Sequence, residues 1–595
     1  MEDTSKLSRR SFLAGAALTG MGVASLGLGV GGTSQELIAA EKVYGPASEP
    51  PLVPVTPIGT NGTVEAGYLS YFDWLGYAPQ ISDSQITETI EADIVVVGGG
   101  DSGVPTALAA AEAGASVVVV EEQEEESYTF FGNDIGHLNS KWAESRGGYP
   151  VDEVEFIQDW SRRSVNRCNY ELLQQMARKS GETVDWIVEH LPQSIVDNAG
   201  IYCVPKPSKY PGEASGYKAW SGTTIHFEAE EGTSLPDVMR TLKAAAEAKG
   251  ATWYFSTKAE VLTKEGNTVT GVIGSLPDGS YKRFVAKKGV VLSTGDFSGN
   301  PAMVFALNEE LRAYAHARGQ NCAEIVGIGR KGAGQKMGCW AGGRIEPGPY
   351  ASMGRAMGAA GFGGIAILQL NRDGKRFMNE AMLSVWGNLN QVMRQPKGQT
   401  YSVADAGWFD FVQKCAPEHV YPGTGGFHDG GFLDSLKEEM DKVPGTGTEG
   451  YRVRGSVTYA GDTLDELADN MGLSGDLRTN FFASITRYNE LAKKGVDEDF
   501  GKDSYLMEAL ENPPYYASLL DNTTLRLGLV EIGGLVTDGN QQVLDFDDYP
   551  IPGLCATGNC CGGRFALQYA TPIAGISIGW ATTMGKILGE RLATL

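Results

Sequence analysis

The sequence predicts an α/β protein organised on a parallel sheet, and three observations carry that prediction. Ala92–Glu122 reads as strand, glycine turn, helix and strand. A second apolar strand, within Gly289–Phe297, ends in a turn of small residues. Between them lie amphipathic helical stretches and short strands parted by turns, the pattern of a sheet with helices on its faces.

The first element is the most informative. Asp93–Val97 is a β-branched run, as expected of a strand buried on both faces. Gly98, Gly100 and Gly103 follow at GxGxxG spacing, and an alanine-rich helix from Pro105 stops at Gly114. Val117–Val120 is the next strand and Glu121 ends it. The glycines let backbone N–H groups approach a pyrophosphate, and the acid is placed for a ribose 2′-OH. The unit therefore binds a dinucleotide, without itself choosing between NAD and FAD.

The remaining elements follow in chain order. In residues 1–40, Ser8-Arg9-Arg10-Ser11-Phe12-Leu13 precedes a Gly/Ala-rich apolar run, Ala14–Gly32. A twin arginine before a mildly apolar segment is a Tat export address, with the Tat translocase as partner and the periplasmic or extracytoplasmic membrane face as destination. Cleavage is expected near Ala39-Ala40. Residues 41–90, with Pro46, Pro50, Pro51, Pro54 and Pro57 and then Tyr68, Tyr71, Phe72, Trp74 and Tyr77, read as a linker and a packing segment. Glu121–Glu126 is an acidic loop, and 160–192 and Leu235–Lys249 are amphipathic helices. Thr252–Phe255, Ala259–Thr263, Val269–Ile273 and Tyr281–Val285 form a β-meander.

Bulk properties narrow the function. At 595 residues the chain holds more than one domain, and its formal charge of −24 argues against nucleic acid as a partner. Eight scattered cysteines include neither CxxC nor CxxCH, so no zinc ribbon, clustered iron–sulfur run or attached c-type haem is expected, and no metal site is assigned. Cys560-Cys561 reads as packing beside a glycine turn or as a redox pair.

Four separated segments then carry a resemblance. The glycine unit is followed by Val291–Met303 (VLSTGDFSGNPAM), by Asn371–Glu380 (NRDGKRFMNE) and by Gly553–Asn559 (GLCATGN). In this order they resemble the FAD-dependent fumarate reductase, urocanate reductase and 3-ketosteroid dehydrogenase family, over roughly residues 90–595. The resemblance implies FAD as cofactor. It implies a Rossmann-like FAD-binding domain in two sequence halves, 91–344 and 526–595, with an inserted α+β cap at 345–525. Beyond Gly98, Gly100, Gly103 and Glu121 it assigns cofactor contacts to Gly132, Asn133, Asp134, Asn139, Ser140, Thr294, Gly295, Asn559, Thr571 and Ile573. Where covalently flavinylated relatives carry a histidine this chain has Asn133, which implies non-covalent FAD. His137 is displaced from that position and reads either as a pocket residue or as a structural histidine.

The chain departs from the family where fumarate would be handled. The proton-donating arginine position is Ser384, the HTMGG histidine falls in Leu529–Gly534, which has none, and the second carboxylate-binding arginine aligns with Tyr569. Arg564 stands five positions earlier. A hydroxyl cannot serve as both carboxylate clamp and proton donor in place of a guanidinium. The replacements imply a larger, less charged acceptor, such as an enone or unsaturated acid, in a pocket including Ser384, Trp386, Val530 and Arg564. Tyr569 is the leading candidate proton donor, followed by Tyr350 and Glu531. The main reading is an exported reductase of an activated C=C bond in anaerobic respiration. It takes a small-molecule electron acceptor and an external donor: a cytochrome, quinol dehydrogenase or flavoprotein. A ketosteroid-type dehydrogenase running in the opposite direction and a non-catalytic flavin electron carrier remain as alternatives.

Overall fold

The structure is a computed structural model that describes residues 43–44, 74–148, 150–201, 220, 224–227, 232–321, 324, 330–348, 350–353, 362, 366–380, 388–414, 431–523, 530–565, 569 and 573–595. The export address, Ser384, Trp386, Leu529 and Thr571 lie outside these residues.

The N-terminal half contains β1 (Ile86–Val97), α1 (Gly103–Glu112), β2 (Val117–Val120), β3 (Asp134–Gly136), α2 (Glu153–Arg163), α3 (Tyr170–His190), β4 (Thr224–His226), α4 (Leu235–Ala248), β5 (Thr252–Tyr254), β6 (Lys258–Glu265), β7 (Thr268–Ser275) and β8 (Tyr281–Leu292). Next come β9 (Ala351–Met353), β10 (Leu368–Asn371), β11 (Gln399–Ala404), β12 (Tyr451–Val453), β13 (Ser456–Gly461), α5 (Gly475–Lys494) and β14 (Tyr515–Asp521). The chain closes with β15 (Val530–Ile532), β16 (Gln542–Leu544), β17 (Pro550–Ala556) and α6 (Ile576–Ala593).

The main sheet runs in the order β16-β17-β8-β1-β2-β5, with β7 and β6 extending from β8. The pairs β17–β8, β8–β1, β1–β2 and β2–β5 are parallel, while β6–β7–β8 is an antiparallel meander. Ile94, Val95, Val96, Val119 and Val290–Leu292 are fully buried, because α1, α4 and α6 cover one face of this parallel core and Leu262, Val269 and Val272 of the β6–β7 meander join the cluster on the other. β1 begins at Ile86 rather than at the predicted Asp93. Its polar first half pairs with Tyr281–Ala286 of β8, so Thr87, Glu88, Thr89 and Glu91 stay in solvent while the ladder continues.

The predicted helical stretch 160–192 divides into α2 and α3. Asn169 caps α3 by accepting from the N–H groups of Glu171 and Leu172 at 3.0 and 3.3 Å. A second sheet, antiparallel and ordered β10-β11-β14-β13-β12, draws all its strands from residues 368–521. β9 and β15 pair antiparallel where the chain enters and leaves that region. Among the described residues no helix is long and apolar enough to cross a membrane.

Candidate active site

A cavity of 440 Å³ opens at the carboxyl ends of β1, β2 and β8, where Val97, Val120 and Ser293 line it. This is where an open parallel sheet binds ligands. Gly98 turns the chain with φ of +95°, and a Cβ there would stand 2.7 Å from the Ser293 carbonyl oxygen. A Cβ on Gly103 would stand 2.0 Å from the Gly98 carbonyl oxygen, so that glycine holds α1 against the turn rather than facing the cavity. At Gly100 a Cβ would meet nothing within 4 Å, so here the backbone is bare toward the cavity it lines.

Glu121 is buried at the end of β2. Its Oε2 accepts from the Gly99 N–H at 2.7 Å and its Oε1 from the Gln123 N–H at 2.9 Å, which fixes the carboxylate on the cavity wall. The Tyr128 hydroxyl donates to the Gly99 carbonyl and braces the turn from behind. The cavity also meets the first turn of α6 through Ser577 and Ile578. Two helix N-termini therefore border it, each with unsatisfied N–H groups and a partial positive charge.

Gly132, Asn133, Asp134, Thr294, Gly295, Asn559, Val530 and Tyr569 also line the cavity. Asp134 pairs with the buried His226. The Tyr569 phenol lies against the Phe565 ring, centroids 4.7 Å apart, and hydrogen-bonds with Ser577. Burial pushes that phenol up to about 12, so it carries its proton at neutral pH.

Several sequence assignments need correction. Asn139 points to solvent-side backbone instead of the cavity, with its amide bonding both the N–H and the C=O of Val151. Ser140 caps the short helix Lys141–Ser145 by accepting from the Ala143 N–H. His137 is structural: Nδ1 lies 3.1 Å from the Ile135 carbonyl and Nε2 2.6 Å from Ser140 Oγ. A carbonyl only accepts, so the proton sits on Nδ1, and burial pushes the ring down to about 4. Ile573 is buried but does not line the cavity.

Tyr350 also lies off the cavity. Its hydroxyl donates to the Glu346 carbonyl and its ring meets Phe297 edge-on at 6.0 Å. Strand alternation separates Val530, which faces the cavity, from Glu531, which faces inward and accepts from Asn308 Nδ2 at 2.6 Å. Arg564 lies behind the wall, with Nη2 donating to Asn559 Oδ1 at 2.6 Å. The Cys560 and Cys561 thiols are free and buried, and burial pushes them up to about 12 and about 11.

Sequence reasoning missed the charged part of the wall. Asp101, Asp296, Arg330 and Lys331 all line the cavity. Asp296 Oδ1 accepts from the N–H groups of Ser298 and Arg330, and burial pushes its carboxyl up to about 6. The Arg330 guanidinium stacks 5.5 Å over Phe131. The signal for Asp101 was present: an acid inside a phosphate-binding glycine turn.

A bare glycine turn, a buried acid after the second strand and two converging helix N-termini define a dinucleotide-binding protein of the parallel-sheet class. The chain belongs to the FAD binding domain family, which matches residues 93–578, and it is an FAD-dependent oxidoreductase. It is 24% identical over 393 residues to a vinyl phenol reductase of Lactiplantibacillus plantarum, covering 64% of this chain and 76% of that one. It is 24% identical over 519 residues to a fumarate reductase (cytochrome) of Shewanella frigidimarina, covering 84% and 77%. The crystal structure of 3-ketosteroid-Δ4-(5α)-dehydrogenase from Rhodococcus jostii RHA1 superposes with a TM-score of 0.61 at 21% identity, covering 86% of this chain and 99% of that one.

The cavity fits that cofactor. Bare backbone at Gly100 and the N-terminus of α1 would take the diphosphate, Glu121 the ribose, and Gly132–Asp134, Thr294 and Gly295 the remainder.

Proposed function

We propose that this protein is an exported FAD-dependent reductase of an activated C=C bond, acting on an enone or unsaturated acid larger and less charged than fumarate. One observation carries the reading: Tyr569, which the family resemblance sets where a carboxylate-binding arginine would stand, lines the cofactor cavity beside the apolar Val530. The named relatives, a vinyl phenol reductase and a fumarate reductase, support a C=C bond as the reacting group. Non-covalent attachment is supported by Asn133, whose amide has no nucleophilic ring nitrogen to offer the flavin. The twin-arginine segment supports export by the Tat translocase to the outer face of the membrane. Electrons then come from a separate respiratory donor, and 345–525 serves as the cap over the substrate.

Bound FAD supplies hydride transfer. The chain's own part is to hold the substrate against that cofactor and to keep a proton ready. The Tyr569 hydroxyl, protonated at neutral pH, is a donor toward the carbon that does not receive hydride.

The test is re-oxidation. Dithionite-reduced holoprotein is mixed anaerobically with fumarate, cinnamate, 4-vinylphenol and a 3-keto-4-ene steroid while flavin absorbance is followed. Re-oxidation by at least one of the last three and not by fumarate is expected. Tyr569→Phe should slow it about a hundredfold or more with FAD content unchanged. Re-oxidation by none of them, or an undiminished rate in the Phe variant, overturns the reading.

A further inference from the structure

Arg564 is almost completely buried at 1% exposure, in the segment that leads to Tyr569. Its Nη2 donates to Asn559 Oδ1 at 2.6 Å, while Nε and Nη1 find no partner among the described residues. The guanidinium lies 5.4 Å over the Phe565 ring, whose other neighbour is the Tyr569 ring at 4.7 Å. Ser577 Oγ donates to the same Asn559 oxygen at 3.4 Å and is also the hydrogen-bond partner of the Tyr569 phenol. A continuous polar chain therefore runs Arg564–Asn559–Ser577–Tyr569 alongside the Phe565 contact.

The acids that face this cation are committed elsewhere. Glu346 gives its oxygens to the N–H groups of Gly534 and Gly563, at 3.1 and 2.8 Å. Asp296 Oδ1 is taken by Ser298 and Arg330. Cys561 holds its proton. Tyr569 is a further ionisable neighbour of this cation among the described residues, beside Glu346 and Asp296. A buried cation with two nitrogens unbonded and no bonded carboxylate among the described residues is costly in the resting protein. The cost falls if a negative charge arises close by during turnover.

We propose that Arg564 is a positioning residue, the counter-charge for the Tyr569 phenolate left when that side chain gives its proton to substrate. The inference rests on the role assigned to Tyr569 above. In that step the Tyr569 O–H bond breaks and a C–H bond forms at one alkene carbon. The second C–H bond comes with hydride from the cofactor, reduced beforehand by the external donor, and the π bond is lost. A proton from water restores the phenol. Arg564 does not line the cavity. It acts through Asn559, Ser577 and the field it sets at Tyr569 Oη.

The test measures ionisation at position 569 directly in the FAD-loaded protein. 3,5-Difluorotyrosine is placed at 569, and its ionisation is followed by fluorine NMR in parent, Arg564→Gln, Arg564→Met and Arg564→Lys backgrounds. The Gln and Met variants should show an ionisation constant about tenfold smaller or less, and the Lys variant should titrate close to the parent. The Met variant guards against misfolding, because packed apolar atoms replace a buried unpaired charge without leaving it unsolvated. Unchanged titration in either neutral variant overturns the inference, and so does a Lys variant that titrates like Gln. The outcome is separate from the Tyr569→Phe re-oxidation test: ionisation that responds to Arg564 in a protein whose Phe variant keeps full rate would refute the donor role of Tyr569, not the coupling.

Discussion

Replacing Asp101 by Asn should flatten the pH dependence of stability across the weakly acidic range. Asp101 lies in the glycine turn, on the wall of the cofactor cavity, and its Oδ1 has no partner among the described residues. Burial raises its carboxyl from 3.8 to about 7, opposed in part by Arg330. In the unfolded chain the group ionises near 3.8, and in the folded protein it keeps its proton until about 7. Below both values the two states bind the proton equally. Between them the folded state holds a proton the unfolded state has released, so stability falls as pH rises and levels off above about 7. A rise of about three pH units at about 1.4 kcal/mol each sets an upper bound near 4 kcal/mol, and water at the cavity mouth reduces it to about 2–3 kcal/mol. Urea unfolding of the apoprotein from pH 4 to pH 8 measures it. Wild type and Asp101→Asn should converge at pH 4, with the variant more stable by that amount at pH 8. Bound FAD should sharpen the contrast, because the turn that would take its diphosphate also carries the carboxylate, so wild-type affinity should weaken above pH 7 and the variant's should not. Parallel stability curves for the two proteins would refute the placement of this acid.

Two further perturbations test the frame around the site. Gly103→Ala puts a methyl group 2.0 Å from the Gly98 carbonyl oxygen, so the purified variant should lose its 450 nm flavin absorbance while its far-UV circular dichroism stays unchanged. Arg376 makes forked bonds to Glu380 at 3.0 and 2.8 Å and to Asp497 at 3.0 and 2.8 Å, with Lys502 Nζ 3.4 Å from Glu380. Breaking this buried network with Arg376→Ala should cost about 3–5 kcal/mol in equilibrium unfolding. Arg376→Lys should recover little of it, because an ammonium cannot span two carboxylates in one plane.

What could be read from the sequence depended on how local the determining physics is. The β1–α1–β2 unit was legible because glycine spacing, valine runs and helix punctuation act within a single stretch of chain, and Gly98, Gly100 and Glu121 stand on the cavity wall as their spacing requires. Alignment to relatives fixes which backbone position is near a ligand, but not which way its side chain points. Val530 and Glu531 show the difference: adjacent in sequence, they part to opposite faces of β15, and only pairing with β9 decides which face meets the cavity. Asn139 and Ser140 fail similarly, because local turn and capping bonds claim their side chains before a cofactor can. Asp101 carried a local signal in the glycine turn, but its grouping with Asp296 and Arg330 did not, since the fold assembles it from three separate loops. Arg564 follows from the same argument. Its place in the sequence put it in the substrate pocket, yet the structure sets it behind the wall, bonded to a residue that lines it. A charge so placed acts on chemistry by field rather than by touch, and titration at Tyr569 is the measurement that can see it.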